Sequence, residues 1–362
     1  MKRLLFVFVI VVSTLALLAV QPALAARAKI ATISADPYLS ALVIDADTGK
    51  ILVDENGDAL AYPASVLKLM VLYVILDRIE RGSLKLDEMV QVTNEAAKMG
   101  GSQVYLDPKE QFSVEDLLYA LIIQSANDAA VALAVHVAGS KDAFVVLMNE
   151  KAKALGMTST TFYSVHGLPP SEGQKPDQTT ARDLAILARE LARNQEVYKY
   201  TGTRDRNFRD GEFIMRTHNK LLASVDGCDG FKTGYFKAAG FSIVATAKRN
   251  GVRIIAVVLG SVDRKVRDAK TSELIAIGFA KTPPRPEPQA AVIKTGAPSQ
   301  SPPQPEPVPA PADDETTVPE KKEAKGGLGR DLLMLGLGFG AGLLACLLVS
   351  MIRSGPRSRR RR

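Results

Sequence analysis

The 362-residue chain has no tryptophan, two cysteines and three histidines. Two cysteines cannot build a disulfide framework or a thiolate metal site. Cys346 lies inside a long apolar run and Cys228 far upstream, which argues against their pairing. His166 and His218 have no plausible metal partner at ligand spacing, and His136 reads as a packed core residue in an apolar helix, so no metal is expected. There is no Walker loop, G-x-G-x-x-G, H-E-x-x-H or G-x-S-x-G motif, so nothing implies a nucleotide or any other cofactor. A Ser-His-Asp triad stays open, because triads assemble in space rather than along the chain.

A basic excess is also missing from most of the chain. Of the net charge of +7, Lys2 and Arg3 carry +2, and six arginines from Arg353 to Arg362 carry +6. The residues between sum to −1, which removes the main support for nucleic-acid binding. Residues 1–25 combine a basic start, an apolar run from Leu4 to Val20 and Ala23-Leu24-Ala25, the pattern of a cleaved signal peptide. No cysteine follows that run, which excludes lipoprotein processing. Leu332 to Ile352 is a second apolar run, roughly 31 Å long as a helix, enough to span a membrane. Residues 331–352 are therefore expected to be a transmembrane helix and 353–362 an Arg-rich cytoplasmic tail. Residues 282–327 hold 12 of the 20 prolines and read as an extended, disordered linker. The expected product is a single-pass cell-membrane protein with its body, residues 30–281, on the extracytoplasmic side.

Within the body, Ala41 to Val53 reads as two strands around Asp47-Thr48-Gly49. Ser65 to Arg81 is an apolar helix that must be central. Ser113 with Asp116, and Thr180 with Asp183, mark helix starts. Asp128 to Val137 and Asp142 to Leu155 are helical. Phe241 to Ala247 and Val252 to Leu259 are strands joined through Asn250-Gly251, and Asp263 to Ala280 closes the body as a helix. Strands come from both ends of the body and helices from its middle. The expected fold is α+β: an antiparallel sheet flanked by helices, with a helical lobe inserted between its strands.

Three motifs could carry chemistry. Ser65 and Lys68 lie almost one helical turn apart and share a face at the start of the apolar helix. A lysine buried there can act as a base; moving its pKa from about 10.4 to about 7 needs roughly 4.6 kcal/mol of environment, within reach of burial. An N-cap serine beside a surface lysine is the plainer alternative. Ser125-Ala126-Asn127 breaks two helical segments, where hydroxyl and amide can face a cleft, or simply cap the next helix. Lys232-Thr233-Gly234 precedes an aromatic pair and a strand. An ammonium and a hydroxyl on a strand edge make a carboxylate receptor, and Gly234 would let a substrate backbone lie close. A second KTG, at Lys294, falls in the proline-rich linker and reads as coincidence.

In their order, SVLK, SAN and KTG resemble the serine active site of penicillin-recognising enzymes. PASVLKLM, SVEDLLYALIIQSANDAAVALA, HGL at His166, TTARDLAILAREL and VDGCDGFKTGYFKAAGFSIVATAKRNGVRIIAVVLG narrow the resemblance to low-molecular-mass penicillin-binding proteins that are D-alanyl-D-alanine carboxypeptidases. The match covers roughly residues 35–281 and implies a β-lactamase/transpeptidase-like fold. It implies Ser65 as acylated nucleophile, Lys68 as base and Ser125 as proton relay, with Asn127 holding the substrate amide. Lys232, Thr233 and Arg267 would bind the terminal carboxylate, and the N–H groups of Ser65 and Tyr235 would form an oxyanion hole. The implied partners are the peptidoglycan pentapeptide and, as covalent inhibitors, β-lactams. Three departures stand out. The linker and the spanning helix take the place of the β-rich C-terminal domain and amphipathic anchor that many relatives have. Phe236 replaces a small hydroxyl residue common after KTG, which would alter substrate fit, and Asp177 replaces a histidine common before the TT pair. A D,D-endopeptidase of the same family, a class A-like β-lactamase and a non-catalytic wall-binding module are the competing readings. Arg267 favours a free carboxylate, Glu172 lacks the β-lactamase surroundings, and the complete set of motif side chains argues against a mere binding module.

Overall fold

The computed structural model describes residues 28–286. The expected leader, the linker beyond Pro286, the apolar span at 331–352 and the arginine-rich tail lie outside the described residues. In chain order the elements open with β1 (Ser40–Asp45), β2 (Ile51–Glu55), a 3-10 turn (Ala64–Leu67) and α1 (Lys68–Glu80). Then come β3 (Met89–Gln91), α2 (Asn94–Ala97), β4 (Gln111–Ser113), α3 (Val114–Tyr119), a π turn (Ala120–Gln124), α4 (Asn127–Ala138) and α5 (Lys141–Leu155). After a long irregular segment follow α6 (Ala181–Leu191), α7 (Val197–Thr201), β5 (Asp205–Phe208), β6 (Phe213–Arg216) and α8 (Leu221–Ser224). The chain returns through β7 (Cys228–Phe236), β8 (Gly240–Arg249), β9 (Val252–Ser261) and α9 (Arg264–Ala280).

The main sheet has the order β2-β1-β9-β8-β7 and is antiparallel throughout. Strands from the two ends of the body thus meet at its centre, where Ser40 to Asp45 pairs with Ile254 to Leu259. Alternation sends side chains to two cores. Ala41, Val43, Ile254, Ala256 and Val258 pack with Leu274 and Ile275 of α9. Leu42, Ile44, Ile255 and Val257 face the larger core built on α1, α4 and α6. Helix α1 is buried at Lys68–Leu72 and Val74–Leu76, as expected of a helix too apolar to lie on the surface. Asn250 and Gly251 both have positive φ, which matches the twist of the β8–β9 hairpin. The α+β architecture expected from the sequence is the one observed.

Local detail differs in two places. The residues expected to begin α1 form a 3-10 turn, so Ser65 precedes the α-helix proper. His136 is not a core residue; it is partly exposed and its Nε2 lies 2.8 Å from Glu88. Among the described residues no single helix is long and apolar enough to cross a membrane.

Candidate active site

The nucleophile candidate is displayed by a tight bend. Ala64 adopts φ +47°, and the 3-10 turn after it sets Ser65 ahead of α1. Lys68 begins α1 and is 0% exposed. Its Nζ lies 3.0 Å from Ser65 Oγ, 2.8 Å from Asn127 Oδ1 and 2.7 Å from the His166 carbonyl oxygen. Burial, reinforced by the neighbouring Lys232, drives its pKa well below that of an ordinary lysine, and Asp128 and Asp177 oppose the shift. The surface-lysine alternative is thereby excluded.

Ser125 comes from a second strained bend. The wide turn Ala120–Gln124 ends in Ser125 at φ +60°, a left-handed conformation that favours glycine. Asn127 does not cap α4. Its Oδ1 accepts from Lys68, its Nδ2 donates to the Gly100 carbonyl at 2.6 Å, and its backbone N–H donates to the Ser102 carbonyl. The next residue, Asp128, accepts from the N–H groups of Val104 and Leu106. The SAN segment therefore pins residues 100–106 beside the site.

The third wall is β7, the edge strand of the main sheet. Lys232 is buried, donates to the Thr233 carbonyl at 3.0 Å, and is pushed down to about 7 by burial and by Arg267. Gly234 has a packing reason beyond the expected one. A Cβ there would lie 2.7 Å from the Pro63 carbonyl oxygen and 3.0 Å from Ser65 N, so glycine lets β7 press against the nucleophile's turn. Tyr235 is 55% exposed and stacks on Phe241, with centroids 4.1 Å apart. Phe236 is not among the residues lining the cavity; it stacks on Tyr62 beside Ala64 and Ala239, under the turn that carries Ser65. Arg267, on α9, is buried, contacts Asp268 and donates to the Ser242 carbonyl.

These walls enclose a cavity of about 390 Å³. Ser65, Ser125, Thr233, Gly234, Tyr235 and Arg267 line it, while Lys68, Asn127 and Lys232 are buried around it. The sequence reading missed six further lining residues: Ser102, Thr217, His218, Lys220, Phe241 and Arg264. Partial desolvation and the cations Lys232, Lys220, Lys68 and Arg264 push His218 down to about 4, so its imidazole is neutral at physiological pH. None of the lining residues is acidic. A cavity with a serine pair at one wall and lysine, threonine and arginine at another suits acyl transfer from an anionic acyl donor. Among the described residues no group of three or more His, Cys, Asp or Glu could hold a metal ion.

A sequence model of the D-alanyl-D-alanine carboxypeptidase family, peptidase S11, matches residues 24–263. The chain belongs to this family. It is 38% identical over 245 residues to D-alanyl-D-alanine carboxypeptidase DacF of Bacillus subtilis, covering 67% of this chain and 62% of that one. It is 38% identical over 246 residues to DacC of Escherichia coli, covering 66% and 60%. The chain thus spans about three fifths of the length of these curated relatives. Among solved structures, penicillin-binding protein D2 of Listeria monocytogenes in its ampicillin-bound form superposes with a TM-score of 0.61 at 32% identity, covering 67% of this chain and 98% of that one. The family's fold is therefore the fold described above.

Proposed function

We propose that the protein is a serine-type D-Ala-D-Ala carboxypeptidase that removes the terminal D-alanine from peptidoglycan stem peptides through an acyl-enzyme on Ser65. The observation that carries this reading is Lys68: buried, its pKa driven well down by that burial, and placed between Ser65, Asn127 and the His166 carbonyl. As a neutral amine it has two N–H donors and one lone pair. The donors serve Asn127 Oδ1 and the His166 oxygen, which leaves the lone pair facing the Ser65 hydroxyl. Lys68 then takes the hydroxyl proton as Ser65 attacks the penultimate carbonyl. The N–H groups of Ser65 and Tyr235 receive the developing oxyanion. Ser125 passes the proton to the departing amine, and Asn127 holds the substrate amide. Thr233, Lys232 and Arg267 bind the terminal carboxylate. Water then hydrolyses the acyl-enzyme.

The names of the relatives support the carboxypeptidase activity, and the ampicillin-bound relative supports covalent capture of β-lactams. The same proposal includes export by residues 1–25 and anchoring by residues 331–352, with the body on the outer side of the cell membrane; the apolar runs in the sequence support it. The test is peptide mapping after incubation with penicillin. The expected result is one adduct, on the peptide containing Ser65, and none in a Ser65→Ala variant. An adduct elsewhere, or none in the wild type, would overturn the reading.

A further inference from the structure

Asp177 lies between His166–Leu168 and α6, away from the cavity lining, and is buried. Its Oδ1 accepts from the backbone N–H groups of Tyr163 at 2.6 Å and Ser164 at 2.9 Å. Its Oδ2 accepts from the Ser164 hydroxyl at 2.7 Å, and that hydroxyl oxygen accepts in turn from Gly167 N–H at 3.0 Å. These four bonds fix the shape of residues 163–167. That shape turns the His166 carbonyl onto Lys68 Nζ. It also presses Gly167, at φ +73°, against the nucleophile's turn: a Cβ there would sit 2.2 Å from the Ala64 carbonyl oxygen and 3.0 Å from Ser65 N. One carboxylate therefore reaches both Ser65 and Lys68 through a short loop.

We propose that Asp177 is a positioning residue for the acylation step: it shapes residues 163–167 into the acceptor that orients Lys68, and its negative charge acts on Lys68. The inference rests on reading Lys68 as the base. The charged group that faces Asp177 is Lys68 on α1; Lys175 and Glu172 on its own segment are exposed, and Tyr163 meets it through the backbone. Lys68 in turn feels Asp128 from α4 and Lys232 from β7. Burial holds the Asp177 carboxyl up at about 6, so its ionised form at neutral pH is kept against folding stability. The sign follows from linkage. A carboxyl raised in the folded state favours folding below its ordinary pKa and loses that contribution as pH rises through about 6.

Penicillin acylation rates of the full chain, measured across pH, test this together with thermal unfolding. Asp177→Asn keeps the Oδ1 acceptor, deletes the charge and replaces the Oδ2 acceptor of the Ser164 hydroxyl with an N–H donor. Its expected acylation rate falls about tenfold through misplacement of the base. Its acidic limb moves to lower pH, because Lys68 without that charge gives up its proton more readily, and its melting temperature at neutral pH does not fall. Ser164→Ala cuts the link to Gly167 and keeps the charge; its rate should fall with the limb unmoved. An unchanged rate and limb in Asp177→Asn would overturn the inference, as would a slower rate accompanied by lost stability and an unmoved limb. A wild type that takes no acyl group would overturn the reading of Lys68 as base, and this inference with it. A wild type that acylates while Asp177→Asn behaves identically would sink the inference alone.

Discussion

Lys68 and Lys232 share one site and face opposite demands. In the proposed reaction Lys68 has to be neutral to accept a proton, whereas Lys232 has to be charged to hold a carboxylate. Burial pushes both down, and Lys232 sits at about 7 beside Arg267. An incoming carboxylate compensates that repulsion and raises Lys232 again. Substrate binding above pH 7 should therefore take up a proton, and KM should rise as the free enzyme's Lys232 loses its charge. Calorimetry in buffers of different ionisation enthalpy, with KM measured across pH, checks this; a KM flat through that range would refute it. Ser65, Lys68, Ser125, Asn127 and KTG were legible in the sequence because the proposed chemistry belongs to their side chains. The His166 carbonyl was not, because a backbone acceptor 98 residues from Lys68 leaves no side-chain signature. Gly234 was noticed, but its packing against the turn before α1 was not foreseen, because that neighbour is distant in sequence.

At the scale of the element, capping chemistry was readable and helix pitch was not. Ser113 accepts from Asp116 N–H at 3.0 Å, the N-cap bond expected from the sequence, and its hydroxyl donates back to the Asp116 carboxylate at 2.8 Å, where a full capping box would use the backbone N–H. Ser113→Ala should cost about 1 kcal/mol of stability. Urea unfolding reads that as a lower midpoint with an unchanged slope; an unchanged midpoint would show that the cap contributes nothing. Downstream, apolar residues fill Ala120 to Ile123 whether the turn is α or π, so hydrophobic pattern could not foresee the widening that sets Ser125 at φ +60°. The same limit explains Ser65: one 3-10 turn before α1 preserves the spacing from Ser65 to Lys68 and leaves no mark in the pattern.

For the whole molecule, the site depends on pieces that are distant in sequence. The sheet closes only when β1 meets β9, and Ser65 meets Gly234 only once β7 is seated beside the nucleophile's turn. The sequence showed that strands at both ends must enclose a helical middle, because α1 and α4 are too apolar to stand outside it. It could not show which cations converge: Lys220 reaches the cavity from the residue before α8 and Arg264 from the start of α9. That convergence around two serines is what the proposed reaction requires. The most direct measurement is the mass of a peptide ending in Lys-D-Ala-D-Ala after incubation with the full chain, beside a Ser65→Ala control. Loss of one alanine with the wild type and none with the control is the predicted result. An intact peptide in both would contradict the carboxypeptidase assignment.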